Sequence, residues 1–282
     1  MVTVVFGARG NVGRHVAAGL LAAGEQVRAI SRTPAAGLPP GLETATADLA
    51  RPETLPAALD GADKAFLYGM LDPEKPYDIE KVTAAATAAG IRQVVLLSSV
   101  SVLDPDADHL VPRLNRTIER AVQRSGMDWT FLRPGTFAAN TRTWWAESIR
   151  TDNVVRLPYP LAQSAPVPEK DIAALAVTAL TEPGHSHQAY TVYGAGSLTL
   201  RRQVEHIGEA IGRRIRIEHI SDKQARAEIS RTWPPVIAEA IVNQWAAADG
   251  VPATTSAIVG KITGAPGQTY AQWAADHADD FR

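Results

Sequence analysis

Seven residues near the start of the chain, Gly7-Ala8-Arg9-Gly10-Asn11-Val12-Gly13, carry three glycines in the spacing G-x-x-G-x-x-G. An apolar run, Val2-Thr3-Val4-Val5-Phe6, leads into them, and an amphipathic run from Arg14 follows. Strand, glycine turn and helix in that order make a cradle for a pyrophosphate. Gly7 permits a sharp turn, Gly10 leaves room for phosphate against the backbone, and Gly13 lets the helix pack on the strand. The helix start adds unpaired N–H groups and the positive end of its dipole. The ligand implied is a dinucleotide. A second set of candidates lies further on: the serines Ser98, Ser99 and Ser101 after an apolar run, and His109 in a stretch rich in aspartate (Asp104, Asp106, Asp108).

These residues need elements to hold them. Strand patterns at 2–6, 26–30, 44–47, 64–68, 94–97 and 129–133 alternate with helix patterns at 12–23, 54–59, 79–89 and 114–124. Val94-Val95-Leu96-Leu97 is apolar throughout, as in a sheet covered on both faces. Such alternation predicts an α/β fold, a Rossmann-type doubly wound parallel sheet, whose ligands sit at the carboxyl ends of the strands. The second half reads as a proline-bearing loop at 158–168, helices at 171–180, 200–211 and 225–248 (broken at Trp233-Pro234-Pro235), strands at 188–192 and 214–219, and a tail helix at 270–281. We expect a dinucleotide-binding domain over 1–155 and a smaller C-terminal α/β substrate lobe over 156–282, without a clean linker.

Bulk properties narrow the function classes. The 282 residues hold 28 Lys and Arg against 30 Asp and Glu, a formal charge of −2 that favours neither nucleic acid nor an anionic membrane. The absence of cysteine removes disulfides, thiolate catalysis and cysteine-ligated metals. His185-Ser186-His187 reads as a surface loop, so no metal is expected. No apolar run has the ~20 residues of a membrane span. The expectation is a cytoplasmic protein, monomer or homodimer, acting on a small molecule.

Several segments together resemble the atypical short-chain dehydrogenase/reductases, in their NmrA-like, NAD(P)H-binding branch. They are GARGNVG at 7–13, VRAISR at 27–32, ADL at 47–49, LLSSVS at 96–101, TIERAVQRSGMDWT at 117–130, LRPGTF at 132–137 with Asn140, EKDIAALA at 169–176 and VGKITGAPGQTYAQWAADH at 259–277. The branch holds quinone and dye reductases, isoflavone-reductase-like enzymes and redox-sensing regulators. The resemblance implies a nicotinamide cofactor, with Asp48 near the adenine and Tyr68-Gly69 beside the adenosine ribose. Asp48 is equally suited to cap the turn before Pro52.

The stretch Ala29-Ile30-Ser31-Arg32 lacks the acid that binds the ribose 2′-hydroxyl in an NAD site. Arg32 and Arg9 suit a 2′-phosphate, with Ser31 as a further donor, so NADP(H) is expected over NAD(H). The expected cofactor set is Gly7, Arg9, Gly10, Asn11, Val12, Gly13, Ser31, Arg32, Asp48, Tyr68, Gly69, Ser98 and Pro134.

The superfamily's Tyr-x-x-x-Lys pair has Val111 and Asn115 in its place. Three readings stay open. Hydride transfer to a conjugated carbonyl, quinone-like or polyketide-like acceptor proceeds without that relay; His109, Tyr68 or Tyr159 serves as the acid; or the chain binds NADP(H) and signals without turnover. A non-redox enzyme on the same fold, an isomerase or cyclase, is a further alternative. Ser99, Ser101 and His109 are the catalytic candidates. Phe137, Trp144 and Trp145, with Trp233 as a further member, are candidates for an aromatic wall against the substrate.

Overall fold

The computed structural model describes residues 1–33, 38, 41–69, 77–107 and 109–282. Asp108 of the aspartate-rich stretch lies outside them. Two compact units share the chain: Met1–Pro134, Glu169–Val192 and Ile258–Ala265 form the first, and Gly135–Pro168, Tyr193–Ala257 and Pro266–Arg282 the second.

The opening segment runs β1 (Val2–Phe6), α1 (Gly13–Ala22), β2 (Gln26–Ser31), β3 (Glu43–Thr46), α2 (Leu55–Leu59), β4 (Ala62–Tyr68), α3 (Ile79–Ala88), β5 (Gln93–Leu97), α4 (Leu110–Arg124) and β6 (Asp128–Pro134). The second unit then receives α5 (Ala139–Asp152), β7 (Val154–Leu157) and β8 (Gln163–Ser164). The chain returns to the first with α6 (Glu169–Thr181) and β9 (Gln188–Val192). Next come β10 (Leu198–Thr199), α7 (Leu200–Ile211), β11 (Arg216–His219), α8 (Asp222–Ile229) and α9 (Pro235–Ala247) in the second unit. Finally α10 (Ile258–Thr263) belongs to the first unit, and α11 (Tyr270–Asp276) and α12 (Ala278–Phe281) to the second.

In the first unit a seven-stranded sheet has the order β3-β2-β1-β4-β5-β6-β9. Every neighbouring pair is parallel. The chain builds outward from β1 to β3 and then crosses to β4, so the order reverses between β1 and β4. Val4, Phe6, Ile30, Leu67, Leu96 and Phe131 face the helices α2, α3 and α4 in one buried cluster. On the other face α1 lies close against α6: a Cβ on Gly19 would come within 2.8 Å of a Val177 methyl. This is the doubly wound sheet expected from the sequence.

In the second unit β7 pairs with β11 in parallel, and β8 with β10 antiparallel. Trp145, Ile149, Leu157, Ile207, Trp273 and Phe281 belong to its buried core.

Several features differ from the sequence reading. The chain leaves the first unit at Pro134, ahead of the 155/156 division, and comes back to it, because β9 pairs with β6 over Thr130↔Gln188 to Pro134↔Val192. Residues 139–152, given no element in the sequence reading, are the helix α5, which no side chain caps at Ala138. Helix α4 starts at Leu110, not 114, because Pro112 falls in its first turn, where the missing N–H costs no hydrogen bond.

Candidate functional site

The glycine turn sits where the sheet order reverses. Gly7 closes β1 with φ +66°, and a Cβ there would press on the Tyr68 ring at 3.1 Å. The Gly10 N–H donates to the Gly7 carbonyl at 2.7 Å, closing the turn. A Cβ on Gly13 would overlap that same carbonyl oxygen at 2.2 Å, so α1 starts hard against the strand end. No side chain caps α1, and its first turn holds no acid. The positive end of its dipole is therefore not neutralised by a carboxylate of the helix itself.

A cavity of about 700 Å³ opens beside this turn at the carboxyl ends of β1, β2 and β4. It brings together Gly7, Arg9, Gly10, Ser31, Arg32, Asp48 and Tyr68, all expected from the sequence. Thr33, which the sequence reading passed over, also lines it and accepts a hydrogen bond from Arg9 Nη1 at 3.1 Å. The Ser31 hydroxyl donates to the Thr33 carbonyl. Neither Arg9 nor Arg32 forms an ion pair among the described residues. Burial pushes the Tyr68 phenol above its ordinary pKa, and the Arg32 guanidinium pulls it partly back, which places that charge beside the ring.

Asp48 is the one carboxylate lining the cavity among the described residues. It also folds its own turn: Oδ1 accepts from the Ala50 N–H at 3.0 Å, and its carbonyl accepts from the Arg51 N–H at 2.8 Å. The capping role and the place beside the cavity are both realised. The fit to a nicotinamide dinucleotide rests on these observations: a glycine cradle that side chains would fill, a helix start whose N-cap Val12 makes no side-chain bond, and Arg32 directly after β2, where a ribose-binding acid would stand. Asn11, Val12 and Gly13 form the turn and helix start next to the cavity, while Gly69, Ser98 and Pro134 are not among its lining residues. Gly69 instead makes room for α4, since a Cβ there would meet Ile118 Cδ1 at 2.7 Å.

At the end of β5 the serines divide. Ser98 is buried and donates from Oγ to Glu119 Oε1 at 2.6 Å. Glu119 in turn accepts two hydrogen bonds from Arg133, at 2.9 Å from Nε and 2.7 Å from Nη2. This buried strap ties β5, α4 and β6 together, and the sequence reading missed it. Its readable signal was a charged residue, Glu119, between Ile118 and Ala121 on the apolar face of α4. Ser99 and Ser101 lie half-buried just beyond, with their hydroxyls 2.9 Å apart and the Ser101 N–H donating to Ser99 Oγ. Helix α4 sets Val111 and Asn115 one turn apart, joined by a bond from Asn115 Nδ2 to the Val111 carbonyl at 2.9 Å.

His109 is exposed at the start of α4 and makes no side-chain capping bond. Tyr159, in the second unit, donates to Asp222 Oδ2 at 2.9 Å; that bond, then desolvation, raises its pKa, so it holds its proton more firmly. His185 Nδ1 lies 2.7 Å from the Tyr190 hydroxyl, and His187 pairs with Asp128 at 3.1 Å.

Of the substrate candidates, Phe137 bridges to Val167 and is half-buried. Trp145 is buried, whereas Trp144 is only partly so. Trp144 lies 6.1 Å from Trp145 at 56° and 5.3 Å from Trp245 at 89°, ring centre to ring centre. With Trp233 the three rings wall a small cleft within the second unit.

No helix of the described residues is long and apolar enough to cross a membrane. None of their His, Asp and Glu side chains form a group placed to hold a metal ion.

Known proteins place this geometry. The profile of a family described as NAD(P)H-binding matches residues 7–183. A (4-alkanoyl-5-oxo-2,5-dihydrofuran-3-yl)methyl phosphate reductase of Streptomyces griseus is 40% identical over 283 residues, covering 99% of this chain and 98% of that protein. An NAD(P)H azoreductase of Xenophilus azovorans is 35% identical over 247 residues, 86% of this chain and 84% of that one. The crystal structure of an Escherichia coli NADPH-dependent quinone oxidoreductase complexed with NADPH superposes with a TM-score of 0.80 at 23% identity, covering 98% of this chain and 99% of that one.

Proposed function

The chain belongs to the NAD(P)H-binding family, in the NmrA-like branch of the atypical short-chain dehydrogenase/reductases, and from that membership we propose that it reduces a small conjugated carbonyl compound with NADPH in preference to NADH. It is an NAD(P)H-dependent oxidoreductase. The observation that carries the cofactor preference is the pair of arginines lining the cavity, Arg9 in the glycine turn and Arg32 directly after β2, with no carboxylate at the end of β2 where an NAD site would hold one. The acceptor class is supported by the Streptomyces relative, which is named for a 5-oxo-2,5-dihydrofuran, an unsaturated lactone. An acceptor of this kind, or a quinone, spreads incoming charge across its conjugated carbonyl.

In this reading Arg9 and Arg32 grip the 2′-phosphate through charge-assisted hydrogen bonds. The turn at Gly7–Gly10–Gly13 and the start of α1 hold the pyrophosphate. Bound there, the reduced nicotinamide supplies a hydride. The Ser99–Ser101 hydroxyl pair holds the acceptor's carbonyl oxygen. The strap of Ser98, Glu119 and Arg133 fixes the strand end from which that pair projects. With Val111 and Asn115 in place of tyrosine and lysine, no side-chain relay is assigned, and the delocalised product anion takes its proton from water.

The test is to mix the protein with NADPH or NADH and a panel of quinones and unsaturated lactones, following the absorbance of the reduced nicotinamide. Oxidation of NADPH in preference to NADH by at least one class supports the reading. Tight binding of NADPH with no oxidation by any acceptor would count against a reductase, and equal use of the two cofactors against the arginine assignment.

A further inference from the structure

The cleft in the second unit has a chemistry that hydride transfer does not require. Four of the chain's six tryptophans line it: Trp144, Trp145, Trp233 and Trp245. Trp144 stands at 89° to Trp245 and at 56° to Trp145, so these rings form adjoining walls instead of a stack. A filled core would leave no gap between them, yet a cavity of about 50 Å³ remains. With ~10–15 Å³ needed to admit one water-sized group, the space takes a few small groups.

The indole nitrogens of Trp144 and Trp233 are buried with no hydrogen-bond partner among the described residues. The face of an indole ring carries negative potential and attracts a cation. Glu228, on α8, lines the same cleft and forms no ion pair among the described residues. Arg156 lines it too, but its charge is met by Asp152 at 3.6 Å and Glu218 at 3.2 Å. The cleft thus presents aromatic walls and a carboxylate without a cation.

We propose that this cleft is a binding site for a small organic cation, an alkylammonium group whose methyls fill the space between the rings and whose charge faces Glu228. The site is independent of the reductase reading and lies wholly within the second unit. Its occupant is recognised by charge as well as shape, which separates it from a pocket for a neutral ring.

The test compares choline with 3,3-dimethylbutan-1-ol, its uncharged isostere, by titration calorimetry on the full-length protein. The expected result is saturable binding of choline and binding of the isostere about tenfold weaker or less, the scale of a desolvated cation–π contact. Glu228→Gln should weaken choline and leave the isostere unchanged, while Trp144→Leu should weaken both. Cooperative thermal unfolding of each variant serves as the control for folding. Equal affinity for the two probes, no saturable binding of choline, or indifference of choline binding to Glu228→Gln would overturn the proposal.

Discussion

Arg32 follows directly on β2, and at that position charge decides which cofactor fits. A charged hydrogen bond lost to Arg32→Ala costs about 1.5–3 kcal/mol, so NADPH affinity should fall roughly tenfold to a hundredfold. NADH affinity should change little, and titration of each cofactor by fluorescence checks the contrast. Gly13 is a sharper test of the turn: in Gly13→Ala the new methyl would stand 2.2 Å from the Gly7 oxygen. The expected outcome is loss of NADPH binding together with a lower melting temperature. These residues were legible in the sequence because the turn is built from neighbours, 7 to 13, and its demands on residue type are local. Glu119 was not legible as a partner of Ser98 and Arg133. Only the pairing of β5 with β6 and the packing of α4 bring the three together.

Elements inherit their stability from a few such bonds. Glu119 and Arg133 are largely buried, so Glu119→Ala strands a guanidinium with no carboxylate. Removing one partner of a buried pair costs about 3–5 kcal/mol, and urea unfolding should show a loss of that order. Replacing both by apolar residues should cost less. In the second unit, α11 is held to α5 by Tyr270, whose hydroxyl lies 2.8 Å from Thr141 Oγ1. Because Thr141 already donates to the Ala138 carbonyl, Tyr270 is the donor of this bond. Tyr270→Phe should therefore cost about 1 kcal/mol.

Burial raises the Tyr270 phenol well above its ordinary pKa. The neutral form is thus favoured on folding. Its stabilisation is fully present below the ordinary tyrosine value near pH 10 and is lost as pH rises toward the folded value. Unfolding midpoints measured across that alkaline range should fall for the native protein and fall less for Tyr270→Phe. The sequence fared unevenly with these elements. It located β1, β9 and α7 at their observed limits, because apolar alternation or period and a terminal glycine bounded them. It passed over α5, where Thr141, Thr143, Trp144 and Trp145 are poor helix formers and no capping side chain announces the start. Of the cleft's four tryptophans, the sequence pointed to Trp144, Trp145 and Trp233 and not to Trp245, which α9 brings to Trp144.

At the scale of the molecule the two units are interleaved, and a cut at residue 155 does not isolate either. Residues 1–155 lack β9, which completes the sheet beside β6, and α6, which covers α1. Expressed alone, that fragment should unfold without cooperativity and bind no NADPH, whereas the full chain given saturating NADPH should melt higher. At a hundred times its dissociation constant a ligand adds about 2.7 kcal/mol to stability. Calorimetry of fragment and full chain checks both. The same interleaving bears on how the protein is made. The strand that finishes the nucleotide sheet leaves the ribosome only with Val192, and α10 only with Thr263. Translation at ~5–20 residues per second leaves β6 as an open edge for several seconds after it emerges. During that interval the nascent chain has an unpaired strand edge along Trp129 to Leu132, a template on which other chains can pair until its own β9 arrives.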